Sequence, residues 1–312
     1  MSWLVAAVVA YFILAVVNLL DKFLIDNVLK SAKAYAFIVC FLGLLIFVAA
    51  PWFLEWPGWG LFSMNILIGF IFAIALWLLY EALQRGEAAR ILVFIGGTTP
   101  VFSLLLSYLI FHEVYRANQY GGILLLLLGV LVIALLPRHR SFASRVLCHL
   151  RLSQNHGSGG LWLALFSALA YSLYFLSSKY SYSFQSFASA FIWSRLGAAI
   201  FVSFFLLVRR NRREIIASFT SGHSQKRNKG LVFLNQSLGA TGFIFQNYAI
   251  FLGSVALVNA LQGVQYAFLL VISAGLALLA PKLLRETFSW PIVLQKTLAV
   301  ILVFSGLYLL VR

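Results

Sequence analysis

The sequence predicts an all-α polytopic membrane protein whose ten transmembrane helices form two inverted five-helix repeats. Three observations carry this. Of the 312 residues, 62% are hydrophobic and only 10% charged, whereas a soluble domain needs about 25% charged residues to cover its surface. The apolar residues fall into ten runs, most near the roughly 20 residues that a helix needs to cross the hydrocarbon. One apolar phrase also occurs twice: AFIVCFLGLLIFV at Ala36–Val48 and AFIWSRLGAAIFV at Ala190–Val202, identical at eight of thirteen positions.

The runs, in order, are Trp3–Leu20, Ala34–Leu54, Leu61–Leu83, Ala88–Phe111, Gln119–Leu136, Leu161–Ser178, Ser186–Val208, Gly230–Leu252, Val255–Ala280 and Pro291–Val311. All are too long for barrel strands, which alternate over about ten residues, and unpaired backbone in lipid excludes other spanning structures. The first run lacks a basic n-region and a small-x-small cleavage site, so it is expected to stay as a span. Trp52, Trp56 and Trp59, around Pro57-Gly58 after the second run, read as an interfacial aromatic belt.

The repeated phrase forms most of spans two and seven. Other likenesses support the duplication: Ala82-Leu83-x-x-Gly86 with Ala249-Ile250-x-x-Gly253, Lys22 with Lys179, and Glu113 with Glu286. Five spans per half oblige the second half to enter the membrane from the opposite side. Residues 1–136 and 161–312 are therefore expected to be inverted repeats, an arrangement common in secondary transporters with a site near the midplane. Residues 137–160 join them as a basic cytoplasmic linker, with a membrane-surface helix and an ordinary solvated loop both open for its first part. Residues 209–229 read as a basic, mobile cytoplasmic loop.

The net charge of +15 is a matter of topology. Odd-numbered loops hold eighteen Lys and Arg, and the other side holds Arg116, Lys179 and Arg312. Cytoplasmic loops carry that excess, which puts the termini outside. The basic segments lack interleaved aromatics or a recognisable module, so no nucleic-acid partner is expected; the expected partners are the lipid bilayer and a small-molecule substrate. Two cysteines, Cys40 and Cys148, make no disulfide framework. No metal-ligand spacing and no GxxxxGK[ST] loop occur, so no cofactor and no ATP-driven step are expected.

Ionisable groups deep in a membrane face a cavity or a partner. Arg195 is the mid-span case. It reads either as an anchor for a carboxylate or phosphate, using its planar donor fork, or as a structural group bonded to a neighbouring helix. Lys296 is near enough to an interface to snorkel. Asn259, Gln262 and Tyr266 share one helical face of span nine, with Gln265 just off it. The face lines a cavity, or it is interhelical glue worth about 0.6 kcal/mol per bond. Gln246 and Asn247 in span eight, Tyr171 and Tyr174 in span six, and Thr98 and Thr99 in span four complete the candidate substrate-binding set, and Gln236 adds a further polar group in span eight. Gly96, Gly97 and Pro100 form a candidate hinge, since Pro removes a helical bond; close packing by small residues is the other reading. All eight acidic residues lie near span ends or in loops, so no midplane carboxylate is available as a proton carrier.

Span four, ILVFIGGTTPVFSLLLSYLIFHE at Ile91–Glu113, resembles the drug/metabolite transporter superfamily, in particular its EamA-like group. The likeness rests on Gly96-Gly97, Pro100 and Glu113, on Arg195 inside the second span of a repeat, and on the ten-span arrangement. The resemblance implies that spans one to four and six to nine line the pathway, with five and ten outside. The chain departs from the pattern with Phe41 opposite Arg195, with Ala267 opposite Pro100, and with termini outside by its own charge count. The expected setting is a bacterial or archaeal cytoplasmic membrane.

The resulting expectation is a secondary transporter of a small polar or anionic metabolite, such as an amino acid, working by alternating access. A lipid-linked substrate flippase and a non-transporting scaffold are the alternatives. An intramembrane enzyme would need a Ser–His, paired-Asp or HExxH constellation, and none is present.

Overall fold

In a computed structural model, which describes residues 2–28, 31–85, 88–134, 158–220, 226–279 and 290–311, the chain is all-helical. The helices are α1 Trp3–Val28, α2 Ala32–Leu42, α3 Ala50–Phe53, α4 Trp59–Arg85, α5 Ala88–Phe111, α6 Ala117–Ala134, α7 Ser158–Tyr182, α8 Phe187–Ser203, α9 Arg209–Thr220, α10 Lys226–Leu252, α11 Val255–Ala260, α12 Gln262–Leu279 and α13 Trp290–Val311. Short 3₁₀ stretches, Gly43–Ala49 and Phe204–Leu207, continue α2 and α8. Among the described residues five segments are long and apolar enough to cross a membrane: Ala32–Phe53, Trp59–Arg85, Phe94–Phe111, Gly159–Tyr182 and Phe187–Leu207. Shorter apolar stretches occur at Trp3–Asn18, Ala117–Val132, Val255–Leu269 and Thr297–Leu309. Most of the expected linker, 135–157, and the side chains of Lys22, Glu286 and Lys296 lie outside the described residues.

The main pairings are α4 with α7 and α8, α1 with α10, α5 with α7, and α6 with α13. Glycines set the closest of these. A Cβ on Gly69 of α4 would lie 2.1 Å from the Ser194 carbonyl oxygen, and one on Gly197 of α8 would lie 2.3 Å from that of Ile66. The two backbones touch, which only glycine permits. Gly129 and Gly306 do the same for α6 and α13, against Val303 and the Gly122 carbonyl.

Loop contacts fix which helix ends share a face. Ser31 donates to Glu214 at 2.9 Å and Lys33 to Asn211 at 3.3 Å, so the first interhelical loop meets α9. At the opposite ends Ser189 and Trp193 of α8 donate to the Glu55 carbonyl at 2.9 and 3.0 Å. The chain turns there at Gly58, whose φ of +85° is glycine's territory. Trp52 and Trp59 are about three-quarters exposed, 74% and 77%, and Trp56 stacks edge-on against Trp59 and Trp193.

Two segments differ from the sequence reading. Residues 209–220 are not a mobile loop but a surface helix: Asn211 and Ile215, one turn apart, are buried, and Arg210 pairs with Glu214 across i,i+4. The ninth apolar run is not one helix either. It breaks at Leu261, between α11 and α12, and the buried Tyr11 hydroxyl of α1 donates 2.8 Å to the Val258 carbonyl there. An uninterrupted helix would bond that carbonyl to the amide of residue 262, so Tyr11 satisfies an acceptor that the break releases.

Candidate functional site

Arg195 is only 6% exposed. Its helix α8 is buried on nearly every side, because Gly197 brings it against α4 while α2 covers another face. The side chain passes Gly43, where a Cβ would sit 3.6 Å from Arg195 Cδ. Four rings from four helices then enclose the guanidinium: Phe72 of α4 at 4.0 Å, Phe191 of α8 at 4.7 Å, Phe243 of α10 at 5.3 Å and Tyr174 of α7 at 5.5 Å from Cζ. Each such contact contributes about 0.5–2 kcal/mol. Arg195 Nη2 donates to the Tyr174 hydroxyl at 2.6 Å, and Nε–H has no partner. Among the described residues no carboxylate pairs with it.

The hydrogen-bond chain continues from there. Tyr174 and Tyr182 both donate to Asn247 Oδ1, at 2.9 and 3.2 Å, and Asn247 Nδ2 donates back to the Phe243 carbonyl at 2.9 Å. Three of the sequence candidates, Arg195, Tyr174 and Asn247, thus form one relay. Tyr171 lies beside it, its ring 6.4 Å from Phe72 and 6.2 Å from Phe175. Gln246 belongs to the neighbouring group and donates to Tyr11 at 3.3 Å.

A second cluster joins α5, α7 and α11. Asn259 Nδ2 donates to Ser103 at 2.8 Å, Ser103 lies 3.3 Å from Ser172, and Ser172 reaches the Thr99 and Ala168 carbonyls at 3.0 Å each. Thr99 enters through its backbone; its hydroxyl and Asn259 Oδ1 are buried without partners. Ser172→Ala is expected to lower stability by about 0.6 kcal/mol, and by no more than about 1.7 kcal/mol, in thermal unfolding of the detergent-solubilised protein. A larger loss would mean that the cluster is a principal fastener.

The remaining candidates are placed apart from these groups. Tyr266 donates to the Leu92 carbonyl at 2.8 Å and fills the recess at Gly96, where a Cβ would meet its hydroxyl at 2.2 Å. Gly96 therefore serves close packing, and α5 runs unbroken through Gly96, Gly97 and Pro100. Thr98 bonds its own helix, at the Phe94 carbonyl 2.7 Å away. Gln262, half-buried, opens α12 just after the break.

Several contributors carry no sequence signal of their own. Phe72, Phe191 and Phe243 are three of 29 phenylalanines. At one end of the bundle, His112, with φ of 50°, turns the chain so that Glu113 accepts from Tyr115 and from Ser254, the latter at 2.8 Å. Burial, reinforced by Glu113, pushes the Tyr115 hydroxyl well above the ordinary phenol range. Lys179 of α7 donates to the Phe251 carbonyl at 2.9 Å on the same side.

Residues 1–135 match the family model described as the EamA-like transporter family. Solved structures match as well; one, described only as the crystal structure of a protein, is similar with a TM-score of 0.62 at 16% identity, over 98% of this chain and 94% of that one. At that identity the likeness concerns the fold. No curated protein matches the chain significantly. Through residues 1–135 this integral membrane chain is identified as a member of the EamA-like transporter family, within the drug/metabolite transporter superfamily.

Proposed function

We propose that the protein is a secondary transporter of a small polar or anionic metabolite, working by alternating access, with Arg195 as the electrostatic anchor for substrate. The observation that carries this is a buried arginine held by aromatic faces and one phenol, with Nε–H unmatched and no described counter-ion. A charge so placed is costly in a membrane and marks a ligand path or a partner. The pairings support the inverted repeat: if α7 corresponds to α1 and α10 to α4, then exchanging the halves turns the α4–α7 contact into the α10–α1 contact, and both are among the main ones. The α6–α13 pair, fifth span against tenth, maps onto itself. The charge bias puts α9 and the first interhelical loop on the cytoplasmic side.

The test is flux into proteoliposomes of the purified protein, without ATP, against labelled organic acids, amino acids and lipophilic cations. Saturable uptake of an anionic or amino-acid class is the expected result. Uptake confined to cations would overturn the role given to Arg195, and no uptake of any class would favour a scaffold.

A further inference from the structure

Resting on the reading of Arg195 as the substrate anchor, we infer that the site takes a monoanion with an apolar or aromatic body, a monocarboxylate without an amine, and discriminates against zwitterions and dianions. The argument begins with charge. The described carboxylates are Glu55, Glu81, Glu113 and Glu214. Glu55 sits in the Trp-rich loop between α3 and α4. Glu81 is held by Trp77 and Arg85, Glu113 by Tyr115 and Ser254, and Glu214 by Ser31 and Arg210. Each lies in a loop, in the last turns of α4, or on the surface helix α9. The aromatic cage therefore holds one uncompensated positive charge among the described residues.

One negative charge neutralises it. A second would need a second cation, and the nearby lysines are committed elsewhere: Lys179 to the Phe251 carbonyl, Lys33 to Asn211 and the Trp77 face. An ammonium fares no better. Aromatic faces normally stabilise a cation, but these four already hold the guanidinium, and a second positive charge beside it is repelled. Asn247 Oδ1, the amide acceptor of the relay, already takes two phenol hydrogens. A substrate ammonium would be buried unpaired, which is expensive.

The donor geometry agrees. Tyr174 takes one N–H of Arg195, while Nε–H is free. A carboxylate can accept from the guanidinium fork in a bidentate way. Beyond the fork stand rings only: Phe72, Phe191, Phe243 and Phe175, the last 5.1 Å from Tyr174. Such walls suit a flat apolar body rather than a hydrated sugar.

The test varies charge on one body. Thermal unfolding of the wild-type protein in detergent would be followed against 3-phenylpropanoate, phenylalanine, phenethylamine and phenyl phosphate, from micromolar to millimolar concentration. 3-Phenylpropanoate should stabilise, with apparent affinity about 30-fold or more above that of the other three. Arg195→Gln should weaken it by about 30-fold or more; Arg195→Lys, which keeps the charge and loses the fork, should fall between, and it serves if the Gln variant does not fold. Equal stabilisation by phenylalanine or phenyl phosphate that still depends on Arg195 would overturn the monoanion class and leave the anchor standing. Preference for phenethylamine, or a 3-phenylpropanoate shift unchanged in both variants, would overturn the anchor itself. No shift with any of the four would overturn the inference for aromatic bodies altogether.

Discussion

Gly69→Leu is expected to prevent stable folding. The new Cβ alone would stand 2.1 Å from the Ser194 carbonyl oxygen, 2.5 Å from the Ala198 nitrogen and 2.8 Å from the Gly197 carbonyl carbon. All three are backbone atoms of α8, so no rotamer change relieves the clash, and α4 and α8 must part. Overpacking costs about 1–3 kcal/mol where side chains can adjust; here even Gly69→Ala should reach the top of that range, and Leu should exceed it. Gly275→Ala in α12 is the control, since nothing lies within 4 Å of its Cβ position and helix propensity favours alanine by about 0.8–1 kcal/mol. Monodispersity on size exclusion and thermal unfolding in detergent read both variants. A monodisperse Gly69→Leu protein with wild-type melting would show that the two backbones do not meet.

Arg195→Met should separate stability from function. Replacing a buried, incompletely paired charge by an apolar group of similar length is often neutral, and has stabilised proteins by about 1–4 kcal/mol. Tyr174 keeps its bond to Asn247, and the four rings close on a thioether, with which they pack well. Flux in proteoliposomes should nevertheless fall to background, because nothing else among the described side chains can neutralise a substrate anion in the cage. Retained flux would remove Arg195 from the pathway. Loss of folding would instead make it a structural cross-brace between α4, α7, α8 and α10.

Much of this was legible in the residues, and the limits have physical causes. Apolar runs of spanning length read directly as helices, since lipid permits little else. Arg195, Tyr174 and Asn247 stood out because each is polar within an apolar run. That they meet is a tertiary fact: they lie on three helices, and the rings completing the cage are common letters here, 29 Phe and 13 Tyr. The break in the ninth run was hidden for a related reason. Neither Gly nor Pro marks Leu261, and the hydroxyl that satisfies the released carbonyl comes from Tyr11, 247 positions away. Conversely Gly96 invited a hinge, yet its missing side chain admits the Tyr266 ring. A glycine written in a sequence does not say whether it yields motion or space.

The repeated phrase has one more implication, about the order in which this chain acquired its residues. Gly43 and Gly197 occupy the same position in the two copies. Gly197 meets the backbone of α4, while Gly43 lies alongside the methylenes of Arg195. Alanine would fit at residue 43; any larger side chain would displace the arginine. The charge in the second copy thus presupposes a small residue retained in the first. After the duplication, the permissive glycine had to be in place before the arginine could enter, so the two halves were free to diverge only along a path on which each constrained the other.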